Sequence, residues 1–108
     1  MSIKSNEVKF GDITIKILSN SDDLTVSEIE IPAGAIATPH NHPHEEVNYV
    51  ISGKLDFMSN GETVTLQTGQ SITIAPNQLH NITNSSSEAG VVLSVWTPSR
   101  KDLIAKLA

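Results

Sequence analysis

Residues 34–53 read GAIATPHNHPHEEVNYVISG, and this stretch decides the fold. One residue separates His40 from His42, Glu46 follows after three more, and Gly34 and Gly53 bound the run. In an extended segment residues two apart project to the same side, so His40 and His42 share a face. Glu46 keeps that parity across the turn that Pro43 favours. Glu46–Ser52 then reads as a strand, closed by Gly53. The chain holds four histidines, three of them here: His40, His42 and His44. The fourth, His80, lies in a second block, GQSITIAPNQLHNITN at 69–84, eleven residues after Gly69 and four before Asn84.

Outward from these blocks the chain divides into short strands. Ile13–Ile17 alternates with period two, the pattern of a half-buried strand. Ser19–Asp23 is a polar turn. Leu24–Ile31 is a strand whose apolar phase shifts between Val26 and Ile29, which predicts a bulge or burial on both sides. Leu55–Met58 and Thr63–Gln67 flank Ser59-Asn60-Gly61, a hairpin signal, because Asn-Gly tolerates the positive φ of a type I′ turn. Ser71–Ala75 and Val91–Trp96 complete the set. After Pro98 the period changes. Ser99 as cap, Asp102 three residues later, and Leu103, Ile104 and Leu107 on one face predict a short C-terminal helix. Val and Ile together number 20, with nine Thr, against 15 Ala and Leu, a mix that favours pleated surfaces. The expected class is all-β, a sandwich or barrel of roughly eight or more short strands.

At 108 residues and 11.6 kDa the chain reads as one domain over 1–108. No apolar run approaches the ~20 residues of a membrane span, and MSIKSNEVKFGD lacks a signal-peptide core. Cysteine is absent, so disulfides and thiolate chemistry are excluded; this fits a reducing cytoplasm. Seven basic residues, thinly spread under a net charge of -5, exclude nucleic acid as the expected partner.

The spacing G-x5-H-x-H-x3-E-x6-G, with the Gly69, His80 and Asn84 block, resembles the two motifs of the cupin superfamily. The second motif departs at two places: Ala75 stands where proline is usual, and Asn77 where glycine is usual. Asn is the residue after Gly that best tolerates a left-handed backbone. The resemblance implies a double-stranded β-helix, or jelly-roll barrel, with His40, His42, Glu46 and His80 around one divalent transition metal. Imidazole and carboxylate donors suit Ni, Zn, Fe or Mn. Four protein ligands leave coordination positions open for substrate, a catalytic layout.

With Glu46 inward, Asn48 and Val50 point inward too, and Val47, Tyr49 and Ile51 outward. An apolar outer row needs cover, either from the N-terminal strands or from a second subunit. The reading leans to a homodimer, which the resemblance also implies. Asn48 suits a hydroxylated substrate. His44 is expected at the pocket mouth as a proton shuttle, and Glu45 in solvent. Ser94 and Trp96 share a face near Arg100, the only arginine. The indole offers a wall for a sugar, and the guanidinium a fork for a carboxylate.

PHNHPHEEVNYVISG together with VWTPSRKDL is similar to the small cupins of pectin and alginate breakdown. Those enzymes linearise 4,5-unsaturated monouronates. The resemblance implies an active-site acid, aromatic and arginine at Ser94, Trp96 and Arg100, so the acid position carries a serine. Three readings follow. The first is a metal-dependent enzyme acting on a small carboxylated sugar, with Arg100 holding the carboxylate, Trp96 packing the ring and His44 moving the proton. The second is a non-catalytic cupin that binds a small ligand. The third is an Fe-dependent, dioxygenase-type cupin.

Overall fold

A computed structural model of the chain describes residues 6–107. Nine strands and one helical turn follow in order: β1 (Glu7–Phe10), β2 (Ile13–Asn20), β3 (Thr25–Ile31), β4 (Glu45–Ser52), β5 (Lys54–Ser59), β6 (Glu62–Gln67), β7 (Ser71–Ile74), β8 (His80–Thr83), β9 (Gly90–Thr97) and α1 (Lys101–Ile104). They form two antiparallel sheets, β1-β2-β3-β9-β4-β7 and β6-β5-β8. The segment after β3 extends the smaller sheet through bridges Ile36–Thr83 and His40–His80. This is the all-β, jelly-roll architecture expected, with the short C-terminal helix present.

Hydrophobic burial between the sheets supplies the core. Leu55, Phe57, Val50, Val92 and Ile31 are at most 1% exposed, and a fully buried side chain of this size contributes about 1.5–3 kcal/mol. The β5–β6 hairpin turns where Asn60-Gly61 predicts it, with φ of 53° and 80°. Two strands escape the sequence reading. β1 is four residues with a single buried side chain, and β8 (HNIT) is mostly polar because it carries the site.

β3 takes the second of its two expected forms: it has no bulge, Thr25, Ser27, Ile29 and Ile31 point inward, and the outward Val26 and Glu28 are half-buried. The apparent phase shift arises because the first two inward residues are hydroxylated. Their polar groups are satisfied, Thr25 Oγ1 donating to Asn20 Oδ1 at 2.7 Å and Ser27 Oγ to the Ser94 carbonyl at 3.1 Å. The register irregularity lies in the neighbouring β2, between Ile17 and Ser19. The helix is not capped by Ser99. Its N-cap is Arg100, without a side-chain bond, and Ser99 Oγ donates instead to Asn20 Oδ1 at 2.7 Å. Leu103 is buried, and Ile104 and Leu107 pack on the core as expected.

Gly53 joins β4 to β5 at φ +94°, and a Cβ there would lie 3.0 Å from Gly90 Cα and 3.1 Å from the Ala89 carbonyl oxygen. Gly61 has φ +80° but open space around it. Gly53→Ala therefore meets backbone strain and a backbone clash, whereas Gly61→Ala meets strain alone. Chemical denaturation is expected to show a loss of about 1–3 kcal/mol for Gly53→Ala, clearly larger than that for Gly61→Ala. Equal losses would mean that the close approach to Gly90 is relieved freely.

Candidate metal centre

The site assembles where the two sheets meet. His40 and His80 exchange both backbone hydrogen bonds, at 3.0 and 2.9 Å, so their side chains emerge as a cross-strand pair. The turn before β8 is tied to the first block by the Asn77 N–H, which donates to the His42 carbonyl at 2.7 Å. Asn77 adopts φ 65°, the left-handed backbone its position requires. The ligand atoms of His40, His42 and His80 all lie within 4.8 Å of one another. Asn84 anchors the other end of the second motif: its amide donates to the Ile31 and Glu88 carbonyls at 2.9 and 2.8 Å.

The three rings share one orientation device. His40 Nδ1 lies 3.1 Å from the Thr38 carbonyl, His42 Nδ1 3.1 Å from the His44 carbonyl and His80 Nδ1 2.7 Å from the Gln78 carbonyl. A carbonyl only accepts, so each Nδ1 carries a proton and each ring turns its Nε2 toward the centre. His42 Nε2 and His80 Nε2 face Glu46 Oε1 at 3.1 and 3.4 Å, and buried His80 Nε2 has no hydrogen-bond partner. Lone pairs converging on an ionised oxygen repel unless a proton or a cation stands between them. The donor set thus fits a divalent metal such as Zn, Ni, Fe or Mn.

Electrostatics follow from this crowding. Burial pushes the Glu46 carboxyl up, but the facing His42 and His80 imidazoles and the Asn48 amide outweigh it and hold the group well below the usual carboxylate range. Burial lowers the His40 pKa. His80 is also desolvated, yet the Glu46 carboxylate and the Gln78 carbonyl raise it overall.

Behind Glu46 the large sheet carries two polar cross-strand rows. Thr25, Trp96 and Glu46 are register neighbours across β3, β9 and β4, as are Ser27, Ser94 and Asn48. The Trp96 indole N–H donates to Glu46 Oε1. Asn48 Nδ2 donates to Glu46 Oε2 at 2.7 Å, and Ser94 Oγ donates to Asn48 Oδ1. Asn48 and Ser94 are both fully buried and sit behind Glu46 rather than in the cavity lining.

A cavity of about 600 Å³ opens from the histidines. His40, Glu46, His80, Trp96 and Arg100 line it, and Ile13, Ile15, Ile29, Ile31 and Ile82 form much of the remaining wall. The Arg100 carbon Cζ lies 4.8 Å from the Trp96 ring centroid. Its fork is held by Asp102, at 3.0 Å from Nε and 2.8 Å from Nη2. That bond keeps the Asp102 carboxyl down at about 2. His44 stands outside the lining, with Nε2 3.2 Å from the Ser99 carbonyl. Burial and then the Arg100 charge lower its pKa. Asp102 is a site residue the sequence reading placed only in the helix, and no side-chain signal could mark the backbone carbonyls that orient the rings.

A family model described as "Cupin domain" matches residues 27–96. The chain belongs to the cupin family. It is 34% identical over 98 residues to the pectin degradation protein KdgF of Dickeya dadantii, covering 89% of this chain and 88% of that one. Among solved structures, an RmlC-like cupin from Shewanella frigidimarina superposes with TM-score 0.83 at 23% identity, over 92% of this chain and 88% of that one. KdgF from Halomonas sp. gives TM-score 0.82 at 23% identity, over 94% and 97% of the two chains. Both structures support the cupin fold.

Trp96 is the only tryptophan and bonds directly to Glu46, so its fluorescence reports on the centre. Titration with Ni²⁺ or Zn²⁺ is expected to shift its emission to a saturable end point. His80→Ala should abolish that response with the fold retained by circular dichroism. Asn48→Leu, which frees Glu46 Oε2, should weaken metal affinity about 10–100-fold. An unchanged titration in His80→Ala would remove this residue from the centre.

Proposed function

We propose that this cupin is a metal-dependent enzyme of small carboxylated sugars, acting on 4,5-unsaturated uronates or related hydroxy-carbonyl acids. One observation carries the reading: His40, His42 and His80 cluster with Glu46 facing two of them, and His40, Glu46 and His80 share a cavity lining with a buried arginine. The likeness to a pectin degradation protein supports the substrate class. A bound divalent metal would supply Lewis-acid polarisation of a ring or carbonyl oxygen. Arg100 takes the ligand carboxylate in its planar fork once Asp102 is displaced, and Trp96 packs beside the ring. In this arrangement His44 positions His42 through its backbone carbonyl, and Asn48 and Ser94 position Glu46.

A second reading, binding without turnover, has its own support. Ser94 is sealed behind Glu46 and has no acidic proton to give, and Asp102 in the cavity wall is ionised near neutral pH. Mixing metal-loaded protein with an unsaturated galacturonate separates the two. Enzyme activity predicts loss of the C=C ultraviolet absorbance faster than in buffer. Calorimetric binding with no change in absorbance selects the binder, and neither signal rejects both. Arg100→Ala is expected to raise KM, or Kd, about 10-fold or more with metal content unchanged.

The homodimer belongs to the same proposal. Val47, Tyr49 and Ile51 are exposed on the outer face of β4, and β1 and β2 continue that sheet instead of covering it. A second copy would bury this row. Light scattering is expected to give twice the chain mass, falling to one chain for Tyr49→Lys; a monomeric wild type would refute the dimer.

A further inference from the structure

We propose that the natural ligand carries an apolar arm, aliphatic or aryl, beyond its metal-binding carboxylated head, and that the isoleucine-walled part of the cavity receives it. The proposal rests on the metal centre and Arg100 described above and, within that reading, selects the related hydroxy-carbonyl acids bearing an apolar arm over bare uronates.

The cavity is divided by chemistry. His40, His80, Glu46, Arg100 and Asp102 supply its polar end; Ile13, Ile15, Ile29 and Ile31 from β2 and β3 make an aliphatic wall that Ile82 continues beside His80, with Thr38 and Lys106 also in the lining. Its volume of about 600 Å³ falls among sites that enclose drug-sized ligands, roughly 300–1,000 Å³. A bare monouronate engages the polar end and leaves the aliphatic chamber to water, which apolar walls hold poorly. Placing sugar hydroxyls against isoleucine is worse, since each loses its water partners without replacement. An apolar arm removes both problems.

The rim carries the same signature. Ile36 is 69% exposed and Phe10 47% exposed, and both border the cavity. Lys106 stands over the Phe10 ring, Nζ 5.9 Å from its centroid. Two large apolar side chains held at a mouth that leads to more apolar surface suit an entering chain, whereas a sugar would meet hydroxyl and amide partners there. The arm therefore passes between Ile36 and Phe10 or ends beside them.

The test is a calorimetric series with protein loaded with Zn²⁺, using 2-hydroxybutanoate through 2-hydroxyoctanoate, with galacturonate as comparison. Affinity is expected to rise about fourfold per added methylene until the chamber is full, and 2-hydroxyoctanoate should outbind galacturonate. Ile36→Asp and Phe10→Ser change exposed positions and are expected to lower the affinity of the longest acids, leaving the shortest acid and the zinc content unchanged. A flat series, or galacturonate binding more tightly than 2-hydroxyoctanoate, overturns the proposal. Zinc uptake is read separately. If none occurs, the metal reading fails alone, and metal-free protein is titrated with butan-1-ol through octan-1-ol. Affinity rising with length then supports the chamber, and no dependence on length overturns it.

Discussion

The Glu46 carboxylate is the constraint on which the site depends. It is 4% exposed, and an ionised carboxylate in such a place needs compensation from every side. The structure provides it in two layers. In front are imidazole nitrogens, one of which has no hydrogen-bond partner within the protein. Behind are the Trp96 indole and the Asn48 amide. The rear layer is complete within the chain, whereas in the front layer a proton or a metal ion must stand between the imidazole nitrogens and the carboxylate. The centre is thus organised for a cation even where the chain alone is considered.

That organisation is spread across the large sheet. Antiparallel register places Trp96 opposite Glu46 and Ser94 opposite Asn48, so the second layer is made from cross-strand neighbours. One row further along, Ile29, Val92 and Val50 occupy the same face. The interior therefore grades from polar to apolar along the strands in steps of two residues. A one-residue slip between β4 and β9 would carry Glu46 to the solvent face and Val47 to the metal end. The bonds to Trp96 and Asn48 consequently help fix the register as well as the carboxylate.

Much of this was legible in the sequence because it follows from parity. His40, His42 and His80 form one cluster with Glu46 facing His42 and His80, and Val47, Tyr49 and Ile51 are turned outward as period two requires. Asn77 announced its left-handed turn by its residue type. Parity fails where the interior is polar. Thr25 and Ser27 broke the apolar rhythm of β3 while pointing inward, and β8 has too few apolar residues to read as a strand. Depth was not legible either. Asn48 and Ser94 face inward as expected but are walled off by Glu46. The Arg100–Asp102 pairing depends on how the chain turns after Thr97, which no periodicity encodes.

The same grading explains why an apolar cavity can border a charged centre without collapsing. Side chains around the histidines are fixed by hydrogen bonds, so they cannot shift inward to fill the space as a purely apolar core would. Aliphatic side chains on β2 and β3 are held by their own ladders on the far wall. The gap between two such rigid surfaces persists because closing it would break bonds to buried polar groups, each of which costs about 1–3 kcal/mol to leave unmade. Metal-site rigidity and ligand volume are in this sense one property: the network that orients the imidazoles also keeps the chamber beside them open.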